Sequence, residues 1–416
     1  MKYLVFLFLL SSTSLYAQQL TLPQCYALAE QNYPLIKQRN LIEHAASYTL
    51  DNLNKSLWPQ VNMQAQGTTQ SEVTKINIPI PNVTIPSPSY QQYKVTLDVA
   101  QPITDLFLVK PLKEVVKQNR EAQLVNNEVD VYKIRERINQ LYLGSLLLDE
   151  QLRLNNLVDK DLEDGKGRVE AAIKNGVDYR TSLDKIEAQR IQNKQRKLEL
   201  QTTKTAYLTM LGMFLNQNLN EQTMLEKPAG LVLDNDIRRP ELNYLDAKIK
   251  GNQLQEATIR NKAIPKLSVF AQLGFGNPNP LNFLNASLSP FAIGGLRATW
   301  NFNTLLFNKN DIHLLRNENN MLAVQKEVFL FNIKQQMLQQ NQEIQKLQQL
   351  LQTDDELINL RSTIKTTAKV QLENGIISTN DFIREVNAED QSRQNKLLHQ
   401  IQLLTAQYAV YFTKGQ

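Results

Sequence analysis

The chain of 416 residues carries one cysteine, Cys25, so no internal disulfide framework can hold it together. Its histidines, His44, His313 and His399, sit far apart with no metal-ligand spacing among them. Phosphate-loop chemistry is missing: Gly165-Lys166-Gly167-Arg168 lacks the leading glycine spacing and the Ser/Thr after lysine, and Gly274-Phe275-Gly276 lacks a third glycine. No nucleophile, base and orienting group stand in a recognisable set, which argues against an enzyme and calls for no cofactor. The 46 Lys and Arg against 41 Asp and Glu are dispersed, so the small positive balance gives no nucleic-acid signature. Aromatic residues are only 7% of the chain, and Gln, Asn and Leu are abundant. That composition leans towards long helices rather than a compact α/β body.

Long apolar runs are also absent, with one short exception at the start. Lys2, the apolar run Tyr3–Leu10 and Leu15-Tyr16-Ala17 before Gln18 have the layout of a cleavable export leader over 1–17. The run is too short to remain as a membrane helix. Cys25 follows Leu22-Pro23-Gln24 and not a lipoprotein-type site, so no lipid anchor is expected there. Any membrane role must then fall to β-strands.

What the sequence does have is one unit written twice. Pro34 opens a helical pattern that stops at Trp58-Pro59, followed by the alternation Val61, Met63, Ala65. Pro240 opens another that stops at Ile264-Pro265, followed by Leu267, Val269, Ala271. The two blocks superimpose at a shift of 206, with Pro34, Pro59, Ala65 and Gln66 recurring. A second strand follows in each: Tyr93, Val95, Leu97 and Val99 alternate with Lys94, Thr96 and Asp98, and Leu296, Ala298, Trp300 and Phe302 with Arg297, Thr299 and Asn301. Period two means one apolar and one polar face. The Pro-rich run Ile78–Pro86 and the segment Asn277–Pro290 are read as loops at the exposed end of the strands.

Long helices come next, opening at Pro111 and Asp311 and ending at Asn175-Gly176 and Asn374-Gly375. About 60 residues of helix span roughly 90 Å. Returning helices are expected over 178–214 and 379–412. In the second copy Met337, Ile344, Leu351 and Ile358 recur every seven residues with Ile333 and Leu347 beside them, and Leu350, Leu357 and Ile364 form a second seam. Two adjacent apolar stripes suit a sheet or tube of helices. The expected division is a leader at 1–17, a first repeat at 18–212, a connector at 213–239 and a second repeat at 240–416.

Four strands with one apolar face cannot close a barrel alone, and open sheet edges are not tolerated in lipid. The strands therefore form a small soluble sheet or are pooled between chains.

Leu20-Thr21-Leu22, Ala29, Asn32-Tyr33-Pro34-Leu35, Trp58-Pro59 and the two Asn-Gly tips, in this order and spacing, resemble the outer-membrane efflux protein family, the TolC-like exit ducts. The resemblance covers essentially the whole mature chain. It implies a mainly α fold with a membrane β-barrel portion: long helical hairpins forming a periplasmic α-barrel, and four strands per chain given to a trimeric barrel of twelve. It implies an exit duct in the outer membrane of a Gram-negative bacterium, serving a tripartite efflux or type I secretion system. Its partners would be copies of itself, a periplasmic adaptor, an inner-membrane transporter and outer-membrane lipid, without nucleic acid. A soluble periplasmic coiled-coil adaptor is the alternative, though it would carry one hairpin rather than two.

The same resemblance singles out residues. Asp381, six positions after Gly375, falls where the family places an acid that constricts the periplasmic entrance; the second acid, three residues on, is here Arg384. Asn175, Gly176, Asp178, Asn374 and Gly375 are the hairpin tips expected to meet an adaptor. Lys94, Thr96, Asp98 and Arg297 are expected to face the lumen. Asp381 and Asp178 also suit a plainer role, as first-turn acids stabilising their helices.

Overall fold

The computed structural model describes residues 19–74, 87–231, 236–282, 285 and 287–416. The leader over 1–17 and the Pro-rich run over 78–86 lie outside the described residues. Among those described, α1 (Leu22–Asn32), α2 (Ile36–Lys55), β1 (Gln60–Thr69), β2 (Gln91–Pro102), α3 (Asp105–Lys174) and α4 (Arg180–Leu215) come first. Then α5 (Pro240–Asn261), β3 (Lys266–Asn277), β4 (Ser289–Thr299), α6 (Asn303–Glu373) and α7 (Thr379–Lys414) repeat the order helix, strand, strand, long helix, returning helix. The duplicated, mainly helical fold read from the sequence is therefore present.

Three element boundaries differ from the sequence reading, one of them the start of α6, which lies at Asn303 rather than Asp311. Pro111 lies inside α3, which begins at Asp105. The turn out of β2 nucleates the helix early, because the Leu106 and Phe107 N–H groups donate to the Ile103 and Thr104 carbonyls at 3.2 and 3.1 Å. Proline six residues later, in the second turn, forfeits one intrahelical bond without ending the helix. In the second copy β4 stops at Thr299. Trp300 leaves the strand to donate its indole N–H to the Ala263 carbonyl at 3.0 Å, and its ring packs on Phe302 at 4.7 Å.

The chain divides into two compact units, each drawing on both copies: Gln38–Asn126 with Glu241–Glu327, and the remainder. The first unit contains one antiparallel sheet in the order β1-β2-β3-β4. The β2–β3 pairing joins the two copies, and Thr104 clamps it, its hydroxyl accepting from Leu267 N–H at 2.8 Å and lying 3.2 Å from the Pro265 carbonyl.

The other unit is helical. Thr21 and Gln24 form a capping box that starts α1, which buries Leu22, Cys25 and Ala29. These pack with Ile138, Tyr142, Leu208, Leu211 and Leu215 of α3 and α4 and with Leu404 and Tyr408 of α7. Each fully buried leucine contributes about 1.5–3 kcal/mol relative to exposure. Nearer the tips a second cluster joins Val158, Leu162 and Val169 to Ile186, Ala368, Phe382 and Val386. Gly165 serves this cluster, because a Cβ there would meet the Phe382 ring at 2.9 Å.

Candidate functional site

The strand register sorts the sheet into two chemically distinct faces. Val61, Met63 and Ala65 of β1 pair with Val99, Leu97 and Val95 of β2. Those in turn pair with Ala271, Leu273 and Phe275 of β3, and Leu267 and Val269 meet Ala298 and Leu296 of β4. This apolar face is the open one: Met63 is 75% exposed and Leu296 80%. The opposite face carries Asn62, Gln64 and Gln66 opposite Asp98, Thr96 and Lys94. Gln272 and Arg297 lie on it too.

Each lumen candidate has a partner on that polar face. Thr96 is buried and donates its hydroxyl to Asp98 Oδ2 at 3.1 Å, and Gln272 Nε2 donates to Asp98 Oδ1 at 2.5 Å. Lys94 Nζ lies 5.5 Å from the Phe291 ring centre, and the Arg297 guanidinium 4.4 Å from that of Phe270. Lys266 shares the face, opposite Thr299. Sequence reasoning missed Lys266, although its place one residue before Leu267 in the alternation marks it.

Both hairpin tips use the same backbone device. Gly176 and Gly375 have φ of 75° and 69°, the left-handed conformation that favours glycine. Val177 N–H donates to the Ala172 carbonyl and Gly176 N–H to that of Ile173; Ile376 and Gly375 do the same to Gln371 and Leu372. These paired bonds are the Schellman closure, which satisfies the last carbonyls of α3 and α6. Asn175 and Asn374 are exposed beside them.

The side chains after the glycines differ. Asp381 completes a capping box with Ser378: its N–H donates to Ser378 Oγ at 3.3 Å, and its carboxylate accepts from the Ser378 hydroxyl at 2.7 Å and backbone N–H at 3.3 Å. The hydrogen bonds from Ser378, its hydroxyl before its N–H, hold the Asp381 carboxyl below the usual carboxylate range, and Arg384 adds less. Arg384 lies 3.7 Å from Asp381 and 3.3 Å from Glu385, so its ion pairs here run along its own helix. Asp178 lies one residue before the cap position of α4 and accepts at Oδ1 from Tyr179 N–H and Ser182 Oγ at 2.7 Å each. Its Oδ2 also lies 3.5 Å from Thr379 Oγ1, which brings the two tips together.

One cluster escaped the sequence reading. Glu389 of α7 is buried, 2.5 Å from Lys365 of α6 and 2.7 Å from Arg393, and Lys365 reaches Asp161 of α3 at 2.9 Å. Burial pushes the Glu389 carboxyl up, but the Lys365 and Arg393 hydrogen bonds outweigh it and hold it below the ordinary range. Among the described residues no group of His, Cys, Asp and Glu is placed to hold a metal ion. Burial pushes the Cys25 thiol up to about 12, so it stays protonated and packs as a small apolar group. No described helix is long and apolar enough to cross a membrane.

The fold is that of bacterial outer-membrane channels. CusC matches with a TM-score of 0.71 at 12% identity, over 94% of this chain and 91% of that one. The CmeC outer membrane channel of Campylobacter jejuni matches at 0.67 and 15% identity, over 95% and 85%. The MtrE outer membrane channel of Neisseria gonorrhoeae, solved in its open state, matches at 0.66 and 14%, over 95% and 88%. In sequence, residues 25–211 match the Outer membrane efflux protein family, the family whose resemblance the motifs carry. No curated protein sequence matches the chain.

Proposed function

We propose that the chain is one protomer of an outer-membrane exit duct of a tripartite efflux or type I secretion system, passing solutes outward from an inner-membrane transporter and its periplasmic adaptor. The observation that carries this reading is the sheet whose apolar face is exposed while its polar face is half covered along the central strands β2 and β3. A soluble adaptor would bury that face. In lipid the arrangement is favourable, provided that the free edges of β1 and β4 find partners. Three copies pooling four strands each into a closed barrel supply those partners, with the polar face lining the lumen. Export through a leader at 1–17, with repeats at 18–212 and 240–416 about a connector at 213–239, fits this role, and conduction calls for no enzymatic chemistry.

The hairpin tips are then the surfaces offered to the adaptor, and Asp381 with Arg384 is the candidate entrance gate. In a closed assembly their present intrahelical pair could exchange for one between protomers. Asp381→Asn keeps a capping side chain and removes the charge, so raised single-channel conductance in planar bilayers is expected; unchanged conductance would place the gate elsewhere.

The main reading is tested by fractionation and by charge placement. The protein should remain in the outer membrane after carbonate washing and run as a trimer in detergent. Leu97→Arg should destabilise assembly by about 2–4 kcal/mol if Leu97 lies near the bilayer midplane, whereas Gln64→Arg, at an exposed position on the lumen face, should be milder. Equal losses of trimer from the two changes, or a monodisperse monomer with intact strands, would sink the barrel.

A further inference from the structure

The four strands contain four charged residues, Lys94, Asp98, Lys266 and Arg297, and the register puts all of them on the polar face. Three are cations and one is an anion, a balance of +2 per protomer. Their placement along the strands matters as much as the count. Lys94 lies near the end where β1 turns to β2, opposite Gly276, while Lys266 and Arg297 lie near the other end. Asp98 sits between them.

The acid does not neutralise the bases. Asp98 takes its hydrogen bonds from the neutral donors Thr96 and Gln272. Lys94 and Arg297 instead rest over the rings of Phe291 and Phe270. A cation on an aromatic face keeps its full charge and its hydrated side. Among the described residues none of the four makes an ion pair, so their field is uncompensated locally.

From this we infer that the barrel is anion-selective and that the solutes it favours are anionic. The inference rests on the proposal that the polar face lines a shared lumen. Pooling three protomers would then set six net positive charges around one axis, with cations at both mouths. Water confined between low-dielectric walls focuses such a field and concentrates counter-ions.

The test is a reversal-potential measurement on the purified, full-length protein in planar bilayers under a KCl gradient. Chloride should permeate about threefold better than potassium, because a potential of one kT concentrates counter-ions about that much. Selectivity should weaken in 1 M salt, where the screening length shrinks to about 3 Å. The triple variant Lys94→Gln, Lys266→Gln and Arg297→Gln, which keeps side-chain bulk, should bring the ratio to one or below. Single Arg297→Gln should move it part of the way if the triple variant fails to assemble. Conducting pores that prefer potassium, or a ratio unmoved by these substitutions, would overturn the inference and leave the channel reading intact. A trimer without any conductance would overturn the channel reading and this inference with it.

Discussion

Counted from the tip glycines, Asn155 of α3 and Asp354 of α6 hold matching positions, as do Arg190 of α4 and Glu389 of α7. In the first hairpin Asn155 and Asn193, both buried, clasp each other reciprocally: each side-chain amide donates to the other's backbone carbonyl, at 3.3 and 3.0 Å. In the second hairpin Asp354 lies 2.7 Å from His399 Nδ1, and Ser392, which matches Asn193, donates only within its own helix, to the Ala388 carbonyl. At this matched turn one backbone plan thus carries a neutral pair in one copy and an ionisable pair in the other. Duplication fixed the tip geometry, which glycine dictates, and left the seam free to diverge.

The largest contrast should appear at the matched pair 190 and 389. Arg190 is a partly exposed side chain beside Asp159 and Glu163, whereas Glu389 is buried between two cations. Glu389→Ala should cost about 3 kcal/mol, the lower end for breaking a buried pair, because Lys365 keeps Asp161. Arg190→Ala should cost at most about 1 kcal/mol. Thermal unfolding in detergent measures both, and similar shifts would erase the contrast. The pH dependence follows the same logic. A folded-state pKa below the unfolded one means that Glu389 stabilises above the ordinary glutamate value of about 4.3, and that this is lost as pH falls through the folded value. Acidification should therefore weaken the wild type more than Glu389→Gln; parallel curves would remove Glu389 from the account.

The neutral clasp comes next. Asn193→Ala removes the amide that reaches across to α3 and should cost about 1–2 kcal/mol. Ser392→Ala, at the matching turn, loses only a bond within its own helix and should stay within about 0.5 kcal/mol. Equal costs would mean that the seam is held by packing alone.

These contrasts also show where sequence reading reached its limit. The tips were legible because a left-handed residue after a helix almost requires glycine, and Asn-Gly stands at both. The strand faces were legible because Lys94, Thr96 and Asp98 interrupt apolar neighbours at period two. The deepest stripe of α6 was legible only at Ile333 and Leu347. It includes Ile333, Leu347, Asp354 and Ala368, all buried and spaced by sevens or multiples of seven, with Gln340 half-buried in the same series. Two of those five positions are polar, so an apolar heptad search settles instead on Met337, Ile344 and Leu351, which are only half-buried, and on Leu357 and Ile364, which are exposed. Likewise Glu389 reads as one more charge on a polar helix until α3, α6 and α7 bring Asp161, Lys365 and Arg393 around it. Polar residues that are buried because they are paired carry no hydrophobic signal.

The smallest effect expected from the comparison lies at the starts of the two returning helices. Helix α7 begins with a full capping box, Ser378 and Asp381 each bonding the other's backbone N–H. Helix α4 has Tyr179 at the equivalent cap position, with no side-chain bond to the helix and a ring 81% exposed. An uncapped first turn leaves N–H groups to water, and Asp178, one residue earlier, bonds Tyr179 N–H and Ser182 Oγ instead of the first-turn amides. Ser378→Ala should therefore destabilise the second hairpin by about 1 kcal/mol, the usual worth of a serine cap. Tyr179→Ala should leave stability within about 0.5 kcal/mol. Hydrogen exchange at the first-turn amides reads this directly: those after Ser378 should lose protection in Ser378→Ala, and those after Tyr179 should not change in Tyr179→Ala. If Tyr179→Ala costs as much as Ser378→Ala, the exposed ring has a partner along the helix that caps it by packing, and the two tips are alike in strength despite their different chemistry.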